Sequence, residues 1–173
     1  MPISLFAATV PAYLQILGAV SGLLDKAEHH CGEHGIEPEE LIQARLAEDM
    51  RPFSYQVKAM AMHSAGAIEG FRKGLFTPDT GPFPESFDAL RQVIQEAQDF
   101  LLGISPEDLD WNEDHCVRFE VRDVVMEFAA RDFLFSFSQP NFYFHATTAY
   151  DILRMKGVAI GKRDFLLGMR VKA

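Results

Sequence analysis

Cysteine is scarce in this chain of 173 residues. Its two cysteines, Cys31 and Cys116, form no C-x-x-C pair. Two cysteines are too few for the disulfide scaffold of a small secreted domain. This low cysteine content fits a reducing compartment best. Since the sequence carries no other targeting signal, we expect a cytoplasmic protein.

Positive charge is also in short supply. Lysine and arginine total 16 against 25 aspartates and glutamates, which gives a formal net charge of −9. Nucleic-acid affinity depends on neutralising phosphates with basic side chains. The balance therefore predicts no nucleic-acid partner and excludes a polybasic membrane anchor.

The longest uncharged run lies at the start of the chain, over residues 1–24. Its length suggests a signal peptide or a membrane span. No basic residue precedes it, however, polar residues and Pro11 interrupt it, and it leads directly into the charged stretch 25–30. We expect a buried core helix and no membrane association.

Common catalytic signatures are missing as well. The chain has no glycine-rich phosphate loop, no G-x-S-x-G elbow, no H-E-x-x-H zinc motif and no Glu-x-x-His di-iron repeat. These absences exclude the common nucleotide-binding, serine-hydrolase and ferritin-like classes.

What the chain does contain is ordinary globular composition, with 48% hydrophobic and 24% charged residues. A length of this order suits one hydrophobic core. We therefore expect a single domain over residues 1–173.

Apolar residues repeat at helical spacing in four long segments. The first contains an apolar stripe from Val10 to Leu24, and the others cover about 53–73, 86–103 and 130–156. A short helix is expected to begin at Pro38.

Capping residues suggest where these helices begin and end. We expect Thr9 to cap the first helix, Cys31-Gly32 and then His34-Gly35 to stop it, and Ser86 to cap the third. Pro140 either kinks the last helix or opens a new one.

The spacing of apolar residues changes to a period of two over residues 117–122, where apolar and charged residues alternate. A turn at Asp123 and a second strand over residues 124–128 are expected to follow. Alternation of this kind is typical of a strand with one covered face. The predicted fold class is therefore all-α, a four-helix bundle with one short β-hairpin between helices three and four.

His63 and His145 are the histidines that border apolar helix faces. His63 follows Met60 by three residues, and His145 follows Phe142 by three. Two imidazoles from two core helices are able to meet inside a bundle, where metal sites are often built. The alternative is that each histidine simply makes a hydrogen bond within the core.

A zinc-type catalytic site needs a third protein ligand. His30, Asp151 and Tyr150 are the candidates. Asp151 lies about 240° around the helix from His145, which places it poorly. His30 depends on how the first helix packs.

Aromatic residues are dense between Phe133 and Phe144. They are able to line a ligand pocket, for which we name Met60, Phe142, Tyr143 and Tyr150 as candidate lining residues. The alternative is that they form core or the face of a homodimer, which we expect because the aromatic density exceeds what one small bundle must bury.

Several stretches resemble a known family. The strongest is Asn141-Phe142-Tyr143-Phe144-His145-Ala146-Thr147-Thr148-Ala149-Tyr150, and Gly161-Lys162-Arg163-Asp164-Phe165-Leu166 and the segments 3–5, 9–11, 23–27 and 44–50 accompany it. Together they resemble an uncharacterised bacterial family of the DinB/YfiT-like superfamily. The resemblance spans nearly the whole chain and implies a four-helix bundle, often dimeric, whose helix order differs from a simple meander.

The resemblance also implies a metal site. In the wider superfamily one histidine of helix two and an H-x-x-x-H pair of helix four commonly hold a divalent metal, and some members are thiol-dependent transferases or hydrolases. His63 and His145 match two of these ligands, whereas Ala149 stands at the third. The resemblance then implies one of two outcomes. Either the divalent metal, such as Zn, Ni or Mn, is lost, or His30 or a water molecule completes its coordination.

Two functions follow. The first is a non-catalytic or degenerate dimer that binds a small ligand, with His63 and His145 as core hydrogen-bonding residues. The alternative is a metal-dependent enzyme of the thiol-transferase or hydrolase type, with the metal held by the same two histidines. The missing triad residue favours the first.

Overall fold

The computed structural model of the chain describes residues 3–110 and 115–172. These residues are mostly helical, with a small three-stranded sheet. In chain order the helices are α1 (Leu5–His34), α2 (Pro38–Ile42), α3 (Phe53–Ala61), α4 (Ala67–Lys73), α5 (Phe87–Leu102), α6 (Ala130–Asp132), α7 (Gln139–Met155) and α8 (Lys162–Phe165). The strands are β1 (Leu75–Phe76), β2 (Cys116–Val121) and β3 (Val124–Ala129), and a 3-10 turn covers Pro106–Leu109.

Two of the long helical segments contain a wider, π-helical turn. One covers Met62–Gly66 and joins α3 to α4, and the other covers Phe133–Ser138 and joins α6 to α7. Pro140 lies just after the second turn, at the start of α7, and Ser138 before it is itself helical, so the helical segment continues through the proline. π-helical turns are rare and occur frequently at functional sites.

The first helix begins one turn earlier than expected, so the prediction of Thr9 as its cap is wrong. Ser4 is the cap, and its hydroxyl accepts a hydrogen bond from the Ala7 N–H at 3.1 Å. Thr9 lies inside α1 and donates its hydroxyl to the Leu5 carbonyl at 2.7 Å. Pro11 is therefore also inside the helix.

The end of α1 lies at the second of the two expected stops. Gly35 adopts a left-handed conformation with φ 62°, and its N–H bonds to the Cys31 carbonyl. Glycine suits this position because it has no side chain to clash. Gly32 remains helical, so the first expected stop is wrong.

By length and composition α1 is apolar enough to cross a membrane, with a mean hydropathy of 1.5 over its most apolar window. Half of that window is buried inside the chain. Tyr13, Leu17 and Leu24 are fully enclosed by other elements. This burial is what a core helix shows.

The core lies between α1, α3, α5 and α7. Helix α3 packs against α5 and α7, and α1 packs against the same two helices. The largest fully buried side chains come from α1, α2, α3, α4, the second π-helical turn and α7, and include Tyr13, Phe53, Phe71, Phe133 and Phe142. This packing places the middle of α3 opposite the middle of α7.

The sheet has the order β1-β2-β3. Strands β2 and β3 are antiparallel, from Cys116 opposite Ala129 to Val121 opposite Val124, over the range where the sequence alternates. Strand β1 pairs in parallel with β2 and was not predicted, since a two-residue strand carries no periodicity. Arg122, the first residue of the β2–β3 turn, has a positive φ of 52°.

Strand β1 passes very close to α4. A Cβ atom added at Gly70 would lie 2.9 Å from the Phe76 Cβ and 3.3 Å from the Leu75 carbonyl oxygen. Only glycine leaves room for this crossing. The approach sets Phe76 against the aromatic cluster beside the first π-helical turn.

Candidate functional site: a buried histidine pair beside an aromatic cavity

His63 and His145 lie side by side. Their ring centroids are 5.8 Å apart and their planes are inclined by only 17°. His63 belongs to the first π-helical turn and His145 to α7, and they are 7% and 8% exposed. The apolar faces of the two helices therefore bring these imidazoles together in the interior.

A chain of hydrogen bonds fixes the state of His145. The Gln56 amide nitrogen donates to the Arg51 carbonyl at 2.9 Å, so the amide oxygen Oε1 points the other way. That oxygen lies 2.7 Å from His145 Nδ1. Since an amide oxygen only accepts, Nδ1 carries the proton and Nε2 holds the lone pair.

His63 has its own partner on the opposite helix. Its Nδ1 lies 3.3 Å from the Ser138 hydroxyl, and that hydroxyl donates to the His63 backbone carbonyl at 3.4 Å. A hydroxyl both donates and accepts, so this contact is made by either neutral tautomer of His63. The two π-helical turns meet at this contact.

The two contacts are reciprocal. Gln56 precedes His63 by seven residues, and Ser138 precedes His145 by seven. Seven residues are about two helical turns, so each pair lies on one helix face. His63 contacts Ser138, and His145 contacts Gln56. This crosswise pairing shows that the two helical segments run antiparallel.

Burial keeps both imidazoles neutral. The pKa of His63 falls from 6.5 to about 3, first because the ring is removed from water and second because His145 is adjacent. Burial alone lowers the pKa of His145 to about 4. At neutral pH the site therefore offers two uncharged rings, and the tautomer of His145 is fixed by Gln56.

A cavity of about 540 Å³ opens beside His63. We call it the His63 cavity, and its volume lies in the range that small-molecule sites occupy. Four aromatic side chains, those of Tyr55, Phe83, Phe119 and Phe137, form part of its wall. Tyr55 joins the cavity to the pair, since its ring packs edge-on against His145 at 5.6 Å.

Lys58 holds one wall of the His63 cavity in place. It is a largely buried lysine of α3 that bonds to the Asp79 carboxylate at 2.8 Å and to the Gly81 and Pro82 carbonyls at 3.0 Å. The Asp79 carboxylate also accepts from the Gly81 N–H at 2.7 Å. These contacts hold the pKa of Asp79 below its usual value, with the lysine hydrogen bond the largest cause.

The site does not fit a metal held by three protein ligands. In residues 3–110 and 115–172 no group of three or more His, Cys, Asp or Glu side chains is placed to hold a metal ion. His30 packs against His34 at 4.2 Å and lies near Gly157, so it does not join His63 and His145. Ala149, one turn after His145, offers no ligand atom.

The predicted pocket residues lie elsewhere. Met60 and Phe142 are fully buried, and Phe142 packs edge-on against Tyr13 at 4.7 Å, so the space beside it is filled by α1. Tyr143 contacts Phe142, and Tyr150 contacts Phe165 at 5.8 Å. None of the four lines the His63 cavity.

Sequence reasoning missed the partners of the histidines and most of the cavity wall. Gln56 and Ser138 carry a detectable signal, since each stands seven residues before a histidine on an apolar helix face. The cavity wall carries none. It is assembled from α3 and Arg51 before it, the two π-helical turns, the loop 78–83 and β2 with its turn, which are distant in sequence.

Comparison with known proteins gives a family and a fold. A family model described as a domain of unknown function, DUF1993, matches residues 5–166. A crystal structure of a DinB family member protein from Shewanella denitrificans superposes with a TM-score of 0.83 at 26% identity, and the match covers 98% of this chain and 95% of that one. No curated protein matches the chain.

These findings confirm the predicted resemblance to an uncharacterised DinB-like family and show a DinB-like fold. A fold of this kind hosts different functions on one framework, so function has to be argued from the site.

Proposed function

The chain belongs to the DUF1993 family, a family of domains of unknown function, and from that premise we propose that it binds a small molecule in the His63 cavity without catalysing a reaction. The observation that carries the proposal is the cavity itself, which has a volume of about 540 Å³ and four aromatic side chains in its wall and lies next to a buried pair of neutral histidines. Concave, mostly apolar sites with a few placed polar groups are where proteins hold small ligands.

The hydrogen bonds around the histidines support binding over catalysis. Both Nδ1 atoms are occupied by Gln56 and Ser138, and both pKa values lie far below neutrality. A general acid or base works best with a pKa near the working pH. Rings held neutral at about 3 and about 4 are better suited to shaping and hydrogen-bonding a ligand.

The metal-dependent enzyme is the weaker alternative. His63 and His145 supply two lone-pair nitrogens, and among the described residues nothing supplies a third ligand.

The test uses the neutral fluorescent dye N-phenylnaphthylamine and a matched pair of variants. Val121 lines the His63 cavity, whereas Val125 of β3 is exposed, lies on the other face of the sheet and lines no part of the cavity. Val121→Trp fills the cavity with a large side chain, and Val125→Trp adds the same side chain outside it.

The expected result is saturable dye binding to the wild type and to Val125→Trp, and its loss in Val121→Trp. Circular dichroism and the unfolding midpoint check that both variants are folded. Equal dye binding by both variants would remove the His63 cavity as the site.

We propose in addition that the four long helical segments act as one four-helix bundle. Support comes from the packing of α3 and α1 against both α5 and α7. The β2–β3 pair lies between α5 and α6 in chain order, where the predicted hairpin was placed.

A homodimer and a cytoplasmic location complete the proposal. Most aromatic side chains between Phe133 and Phe144 pack within the protein, but Tyr143 and Phe144 on α7 are 37% and 56% exposed. Exposed aromatic residues of this size are common at interfaces. Cys31 and Cys116 are both free, which supports a reducing compartment. Sedimentation of the wild type and of Phe144→Ser tests the dimer, and a monomeric wild type at micromolar concentration would end it.

A further inference from the structure

We propose that the molecule held in the His63 cavity is a small organic anion with an aromatic or apolar body, and that Arg51 and Arg122 bind its acidic group. This inference rests on the proposed function, because it names the class of ligand that the cavity takes. It follows from the charges and backbone geometry at the cavity wall.

The charge of the cavity is opposite to that of the chain. The whole sequence carries a formal net charge of −9. The charged side chains that line the His63 cavity are Arg51, Arg122 and Asp79. The carboxylate of Asp79 is already engaged by the Lys58 ammonium at 2.8 Å and by the Gly81 N–H at 2.7 Å. A ligand therefore meets two guanidinium groups and a carboxylate that is already paired.

Neither arginine forms an ion pair within the residues that the structure describes, although other arginines do. Arg72, Arg91, Arg118 and Arg131 each contact a carboxylate. A guanidinium group presents a planar fork of donors that matches a carboxylate, sulfonate or phosphate. At the His63 cavity this fork is available to a ligand.

Arg51 is positioned by aromatic rings. Its guanidinium carbon lies 5.8 Å from the ring centroids of both Tyr55 and Phe83, which are themselves 5.2 Å apart. Cation–π contacts of this kind hold a guanidinium by its face and leave its N–H edge unoccupied. The same two rings line the cavity, so an aromatic ligand would share them with the arginine.

Arg122 occupies a backbone position that normally favours glycine. Its φ of 52° is the one positive value at a non-glycine residue among the described residues. A two-residue hairpin turn requires a positive φ at its first position, and arginine takes that position here although glycine or asparagine usually does. Arg122 follows Val121, another cavity residue, so the turn brings a second guanidinium to the cavity mouth.

The test compares two dyes of one skeleton, the anionic anilinonaphthalene sulfonate and the neutral N-phenylnaphthylamine. Arg51→Gln and Arg122→Gly each remove one guanidinium, and Arg131→Gln is the matched control because Arg131 pairs with Asp132 away from the cavity. Glycine relieves the positive φ at position 122, so Arg122→Gly should unfold at no lower temperature than the wild type. Fluorescence titration gives both dissociation constants for every variant.

We expect each cavity variant to bind the sulfonate roughly tenfold more weakly, because a hydrogen bond to a charged group is lost, with little change for the neutral dye. The preference for the sulfonate should also fall with added salt, since both arginines are exposed. Arg131→Gln should bind both dyes as the wild type does.

The outcomes separate a failure of the anion inference from a failure of the proposed function. If Val121→Trp removes both dyes but the arginine variants keep full sulfonate affinity, the cavity stands and the anion inference is wrong. An equal loss of both dyes in the arginine variants also overturns it, because the effect is then not one of charge. If Val121→Trp leaves both dyes bound, the proposed function itself fails.

Discussion

The buried histidine pair should make the protein unusually sensitive to mild acid. A histidine whose pKa is lowered by folding binds a proton more readily in the unfolded chain, so stability is lost as the pH falls below the unfolded value. The loss begins near 6.5 and continues down to the folded values of about 3 for His63 and about 4 for His145.

The size of the loss at about pH 5 is insensitive to the folded values, because both lie below that pH. For each histidine the difference between 6.5 and 5 is 1.5 pKa units, and at 1.36 kcal/mol per unit each ring costs about 2 kcal/mol. The pair should therefore remove about 4 kcal/mol of unfolding free energy between about pH 7.5 and about pH 5. The carboxylates of Asp79, Asp108 and Asp164 titrate below this window, because their pKa values are lowered from 3.8.

The assay is urea unfolding at the two pH values for the wild type, His63→Asn and His145→Asn. Asparagine places an amide N–H near the position of Nδ1, so it preserves the donor to Ser138 or Gln56 without titrating. Each variant should lose about half of the pH dependence. His29→Asn is the matched control, since the His29 side chain is 73% exposed. This variant should retain nearly all of the wild-type pH dependence. The reasoning is refuted if both buried-site variants retain the full wild-type pH dependence.

Three further outcomes are expected. Gln56→Leu should destabilise the fold by about 1–3 kcal/mol, because it leaves the buried His145 Nδ1–H without an acceptor; urea unfolding measures this, and a neutral effect would show that water replaces the amide. Gly70→Ala should cost about 1–3 kcal/mol through the clash with Phe76, while Gly22→Ala, which meets no atom within 4 Å, should cost nothing. Lys58→Met should open the loop 77–83 to limited proteolysis roughly tenfold faster than Lys73→Met, whose lysine pairs only with Glu69 on the surface; equal cleavage of the two would contradict the role given to Lys58.

The helical segments were predictable because they rest on local periodicity. The stripes around Val57 and Ile94 repeat over several turns, and the helices form where those stripes lie. The cap at Thr9 was predicted wrongly because two hydroxyl residues compete near the start of α1. Ser4 offers its oxygen to a free N–H, whereas the Thr9 hydroxyl satisfies a carbonyl inside the helix.

The histidine pair was accessible to sequence reasoning and the cavity was not. His63 and His145 each border an apolar stripe, so both were expected in the interior. The cavity depends on the positions of the loop 78–83 and of the β2–β3 turn. The Lys58 contacts position the loop and Arg122 with its positive φ lies in the turn, but neither feature produces a periodic pattern in the sequence. The packing of Tyr13 against Phe142 was equally out of reach, since it is a contact between distant segments.

The most direct test of the account is nuclear magnetic resonance of the imidazole rings while N-phenylnaphthylamine is added. His63 lines the cavity, whereas His30 packs against His34 at the end of α1. We predict that the ring resonances of His63 shift and saturate with the dye while those of His30 stay fixed. Dye binding that leaves the His63 resonances unmoved would contradict the claim that this cavity is the functional site.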